Sequence, residues 1–72
     1  MKIFMDLDEV VAALSISRSG VRRMLREDDF PKPRELTPRR IGWLVEEVQE
    51  WARNRPAADM LPPPNRGQRR EP

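Results

Sequence analysis

Residues 17–27 read Ser-Arg-Ser-Gly-Val-Arg-Arg-Met-Leu-Arg-Glu, and the rest of the chain falls into place around them. Ser17 suits a helix N-cap, because its hydroxyl accepts a bond from a first-turn amide that has no partner inside the helix. Val21, Met24 and Leu25 recur at i, i+3 and i+4 and share one helical face. Arg18, Arg22 and Arg26 step by four along another face, with Ser19 and Arg23 beside them. The spacing predicts a short helix, apolar on one side and cationic on the other. Taken alone, such a helix is most simply a solvated amphipathic one whose arginines keep it soluble. An anionic surface with repeating phosphates is the partner that would use the same face.

The preceding segment sharpens the reading. Asp6 followed by Glu9 fits a capping box with Asp in the Ser/Thr place. Leu7, Val10, Val11 and Leu14 then form an apolar stripe for a helix of roughly two turns. Ser15-Ile16-Ser17 leaves only a tight connection, with Ile16 as a plug between two helices. Two short helices so joined, the second cationic, make a helix-turn-helix pattern. Lys2 to Met5 is a short strand or a frayed arm; four residues do not decide it.

On the other side, Phe30-Pro31-Lys32-Pro33 stops the second helix near Glu27 to Asp29, since each proline lacks a donor and restricts its predecessor. Phe30 is expected to fold back as a core anchor. Residues 34–44 read as two short strands around Thr37-Pro38-Arg39-Arg40, with Pro38 at turn position i+1. Gly42 marks a bulge or a close backbone approach. Arg39 and Arg40 sit at the hairpin tip, and Lys32 and Arg34 near its base, which makes the hairpin a cationic wing. A third helix is expected from about Val45 to Arg53, with Leu44, Val48 and Trp51 inward and Glu46, Glu47 and Glu50 toward water. Trp43 and Trp51 are expected to close the core. Residues 56–72, with Pro62-Pro63-Pro64 and Arg69-Arg70 and few bulky apolar side chains, read as a disordered tail.

Composition sets the bounds. Seventy-two residues make one small domain near the lower limit for folding without staples. There is no cysteine and no histidine, which excludes disulfides and zinc sites built on those ligands. No apolar run approaches the roughly 18–20 residues of a membrane span, and no signal-peptide core opens the sequence, so a soluble cytoplasmic protein is expected. Net charge is only +2, but residues 17–40 carry eight basic against four acidic side chains, with acidic segments on either side. Catalysis fails on inventory. Ser17 and Ser19 have no histidine to activate them, the only lysines are Lys2 and Lys32, and glycines at 20, 42 and 67 cannot form a phosphate loop. No catalytic residue, metal or cofactor is expected.

The runs Glu9-Val10-Val11, Ile16-Ser17-Arg18-Ser19-Gly20-Val21, Phe30-Pro31-Lys32-Pro33, Arg40-Ile41-Gly42-Trp43-Leu44 and Val48-Gln49-Glu50-Trp51 together resemble the AlpA family over roughly residues 5–54. These are small phage- and prophage-linked regulators related to excisionases, with a winged helix-turn-helix fold akin to the MerR DNA-binding domain. The resemblance implies three short helices plus a β-hairpin wing in residues 1–55. It also implies double-stranded DNA as partner, with the second helix in the major groove and the wing on the neighbouring backbone or minor groove. Ser17, Arg18, Ser19, Arg22 and Arg23 match the recognition-helix surface, and Arg39 and Arg40 the wing tip. Arg26, Lys32 and Arg34 extend that cationic surface. An integrase, RNA polymerase or further copies on repeated sites are candidate partners. The chain departs from the family pattern at Gly20, where Thr or Ser is usual, at Arg22, often Tyr, at Ser15, usually glycine, and at the acidic run Glu27-Asp28-Asp29. A reading of another class, a protein-interaction module of antitoxin or inhibitor type using the hairpin and tail, predicts partner binding that survives loss of Arg18, Arg22 and Arg23.

Overall fold

A computed structural model describes residues 1–62. The order is β1 (Phe4–Met5), α1 (Leu7–Leu14), α2 (Arg18–Arg26), β2 (Arg34–Thr37), β3 (Arg40–Leu44) and α3 (Val45–Arg53). The strands form one antiparallel sheet in the order β1-β3-β2. Residues 56–62 belong to no helix or strand. The rest of the expected tail, including Arg69 and Arg70, lies outside the described residues.

Each helix starts and stops for a local reason. At α1 the capping box is complete: the Glu9 amide donates to Asp6 Oδ1 and the Asp6 amide to Glu9 Oε1, both at 2.9 Å. The helix ends on Ser15, which takes the left-handed conformation (φ 57°) and donates its amide to the Val11 carbonyl. A glycine would adopt that conformation without strain. Ser17 caps α2 as expected, its hydroxyl accepting the Gly20 amide at 3.0 Å. At the far end the Asp28 amide donates to the Leu25 carbonyl and the Asp29 amide to that of Met24, with Asp28 left-handed (φ 61°). That is a Schellman closure with aspartate in the glycine place. No side chain caps α3; instead its first amide, Val45, donates to the Ile3 carbonyl at 2.8 Å.

The core takes one residue from each helix, one from the linker and one from the central strand: Val10 from α1, Val21 from α2, Phe30 from the linker, Trp43 from β3 and Val48 from α3. Phe30 stands edge-on to Trp51, with centroids 4.7 Å apart, and tilted to Trp43 at 6.2 Å. The two indoles also hold the linker by its backbone. Trp43 Nε1 donates to the Pro31 carbonyl at 2.7 Å and Trp51 Nε1 to that of Asp29 at 2.8 Å. Trp43 is fully buried, whereas Trp51 is only half-buried, its ring lying under the Arg55 guanidinium. Trp51 therefore flanks the core more than it closes it.

Of residues 2–5, Phe4 and Met5 form a strand, because they pair with Leu44 and Trp43. Gly42 serves a close approach: a Cβ there would meet Leu36 Cδ1 at 2.9 Å and the Met5 carbonyl oxygen at 3.2 Å. The bulge lies on the opposite strand, where the register slips between Glu35 and Thr37. Gly20 has a similar reason. A Cβ would come within 2.7 Å of Ile16 Cγ2, so the inter-helix plug sits where a larger residue would project. Helix, turn, helix and a sheet-borne hairpin together make a winged helix-turn-helix.

Candidate nucleic-acid interface

Burial of Val21, with Met24 and Leu25 half-buried, turns the opposite face of α2 to solvent. Ser19 and Arg23 lie almost directly opposite Val21, and Arg18, Arg22 and Arg26 progress along one side of that exposed surface with a rise of roughly 12 Å. A major groove is about as wide and admits a single helix.

The side chains differ in what already holds them. Ser17 is spent on the helix cap, its oxygen also 3.2 Å from the Ser19 hydroxyl. Arg18 pairs with Asp8 of α1. Arg23 lies 3.6 Å from Glu27 one turn on, and Lys32 lies 3.8 Å from Asp28 across the linker. Both of those pairs are well exposed, so they hold their partners weakly and leave them available to a stronger anion. Arg34 is different. It grips Glu47 of α3 with two nitrogens, at 2.6 and 3.3 Å. Arg22, Arg26, Arg39 and Arg40 make no ion pair among the described residues. Two of these lie on the open face of α2 and two at the wing turn, where the Arg39 amide donates to the Thr37 hydroxyl at 3.4 Å.

Several carboxylates in this arrangement were not legible from spacing. Asp8 and Glu47 reach arginines ten and thirteen residues away, which only the tertiary fold brings together. Glu47, expected to face water, is partly covered by that contact. The Arg34 hydrogen bond holds the Glu47 carboxyl below the usual carboxylate range, and Glu47 in turn raises Arg34. Lys2 and the Asp6 amide lower Glu9 in the same way, and Arg53 with Asn54 lowers Glu50.

One shallow hollow is lined by Asp29, Phe30, Glu47, Trp51 and Arg55, and by none of the α2 arginines. No group of three or more metal-ligating side chains lies together among the described residues. No helix there is long and apolar enough to cross a membrane.

No curated protein and no solved structure matches the chain. The family described as Prophage CP4-57 regulatory protein (AlpA) matches residues 4–56, which takes in every helix and strand and both arginine clusters. With its winged helix-turn-helix and that match across most of its length, the chain belongs to the AlpA family of phage-type regulatory proteins.

Proposed function

We propose that this protein is a sequence-specific binder of double-stranded DNA that regulates a phage or mobile element. Residues 1–55 form the binding domain and 56–72 a solubilising tail. In this reading α2 lies in the major groove in the manner of MerR-like and excisionase domains. Arg22 and Arg26 present free guanidinium groups there, and Arg18 and Arg23 exchange exposed carboxylates for DNA. A bidentate arginine–guanine contact supplies the main base discrimination. Arg39 and Arg40 at the wing, assisted by Lys32, neutralise phosphates and set position. Ser17 acts mainly as the cap that fixes the start of the helix, and the Ser19 hydroxyl beside it contacts phosphate. The observation that carries the reading is the pairing pattern: the arginines without carboxylate partners among the described residues, Arg22, Arg26, Arg39 and Arg40, lie on the exposed surface of α2 and at the wing turn.

One such domain buries limited surface on DNA, so tight control calls for several copies on repeated sites or a partner such as an integrase or RNA polymerase. Transcription control and excision, in which DNA is bent for an integrase, use this same surface, and both place the protein in the cytoplasm. Footprinting separates them: protection over a promoter favours the first, and protection beside an integrase attachment site the second.

The test of the reading is selection of preferred duplexes from a random-sequence pool. Arg22→Ala and Arg23→Ala should relax discrimination at individual base pairs by about 1–3 kcal/mol. Arg39→Ala and Arg40→Ala should weaken all duplexes alike. Absence of any preferred duplex, with a protein partner captured equally by wild type and the Arg18, Arg22 and Arg23 variants, would replace DNA binding with the interaction-module reading.

A further inference from the structure

The wing's outer strand is thinly anchored. All four residues of β2 are exposed, and its one apolar side chain, Leu36, keeps 38 % of its surface open. It is tied to the body by its ladder with β3 and by the linker through Pro31 and Pro33, and the ladder is interrupted by the slip between Glu35 and Thr37. Against this stands one strong contact at the base. Arg34 Nε donates to Glu47 Oε1 at 3.3 Å and Arg34 Nη2 to Oε2 at 2.6 Å, a two-pronged pair. Among the described residues no other side-chain hydrogen bond or ion pair joins β2 to another element. Glu47 is itself well placed, in the first turn of α3, where the helix dipole favours a carboxylate and Val48 next to it is buried in the core.

We propose that Arg34 and Glu47 form a strut that fixes the angle of the wing. Glu47 is then a positioning residue for the DNA contacts of Arg39 and Arg40, and Arg34 serves those contacts through Glu47 instead of touching a phosphate itself. This rests on the DNA reading above. The lever is short but sufficient. The tip lies roughly 10 Å along the strand from Arg34, at about 3.3 Å per residue. A swing of about 15° displaces it by nearly 3 Å, comparable to the whole length of an arginine–phosphate hydrogen bond.

The strut makes a prediction opposite in sign to that of simple charge. Removing an acidic side chain should strengthen attraction to a polyanion. Removing Glu47 should weaken it, because the wing arginines lose their aim.

The experiment uses the full chain and a duplex selected by the wild-type protein from a random pool, titrated across a salt series. Glu47→Ala and Arg34→Ala should each weaken binding by about 3- to 10-fold. The penalty of Arg39→Ala should shrink in the Glu47→Ala background, a coupling that general destabilisation would not produce. The exchange Arg34→Glu with Glu47→Arg should recover affinity over either single change. Glu47→Gln, which keeps an acceptor at the same place, should fall between wild type and alanine, and covers the case of an unfolded alanine variant. Equal or tighter binding by Glu47→Ala or Glu47→Gln would overturn the strut. So would a full, undiminished Arg39→Ala penalty in a Glu47 variant. A wild-type chain that binds no duplex would overturn the DNA reading itself, a result distinct from wild-type binding that ignores Glu47.

Discussion

Replacing Phe30 with alanine is the perturbation to which this fold should be most sensitive. Phe30 is 5 % exposed, lies against both indoles, and belongs to a cluster of five buried apolar side chains among the described residues. Truncating a buried phenylalanine costs about 3–5 kcal/mol in transfer and cavity terms. The ring also packs against the two indoles at 4.7 and 6.2 Å, which makes the upper end of that range the better figure. At roughly 0.05–0.15 kcal/mol per residue, a domain of about 55 residues has only some 3–8 kcal/mol in total. Phe30→Ala should therefore be largely unfolded at 37 °C, whereas Phe30→Leu, which keeps most of the volume, should lose about 1–2 kcal/mol and remain folded. Urea titration followed by far-ultraviolet circular dichroism and by the fluorescence of Trp43 and Trp51 measures both. A loss below about 1 kcal/mol in Phe30→Ala would mean that the linker is not anchored as described.

Other substitutions test the local geometry. Ser15→Gly and Asp28→Gly place glycine at the two left-handed positions, and each should stabilise by about 0.5–1 kcal/mol in the same titration. Asp28→Gly also removes a negative charge from the negative end of α2. Gly20→Ser restores a residue usual in the family, yet should destabilise by about 1 kcal/mol or more because its Cβ meets Ile16. Pairing it with Ile16→Leu, which carries no methyl on Cβ, should recover part of that loss. The pH dependence of the melting temperature follows from Glu9, Glu47 and Glu50, each held below the usual carboxylate value when folded. Such groups bind protons more weakly in the folded state, so their stabilisation is complete above about pH 4.3 and is lost as pH falls through the folded values. The chain has no histidine, cysteine or tyrosine, so the melting temperature should stay level from roughly pH 5.5 to 9 and fall only in acid.

What the sequence made legible was local. The Asp6–Glu9 box, the Ser17 cap and the prolines around Lys32 carry their geometry in adjacent residues, and α1 and α2 fall where those signals place them. Phe30 and Trp43 were legible as core because few other large apolar side chains are available. What escaped depends on long-range placement. Two residues of β1 have no periodicity to read, and they become a strand only because β3 offers an edge. The slip at Leu36 belongs to the pairing of two strands, not to either alone. Among the ten candidate interface residues, spacing showed which face each occupies but not which carboxylate it meets. Asp8 beside Arg18 and Glu47 beside Arg34 arise from helix and strand packing, and they separate arginines already engaged from those left open. The left-handed Asp28 was hidden for another reason, since aspartate tolerates that conformation without advertising it as glycine would.

The central claim is that arginines of α2 and of the wing engage one duplex together, and the salt dependence of binding tests it most directly. With about five phosphate contacts, log K against log salt should fall with a slope near −4 to −5. Arg39→Ala and Arg40→Ala should each flatten it by about 0.9, on every duplex tried. A slope near zero, or one that Arg22→Ala lowers while Arg39→Ala and Arg40→Ala leave it untouched, would contradict the account, because the wing would then stand clear of the DNA that the helix reads.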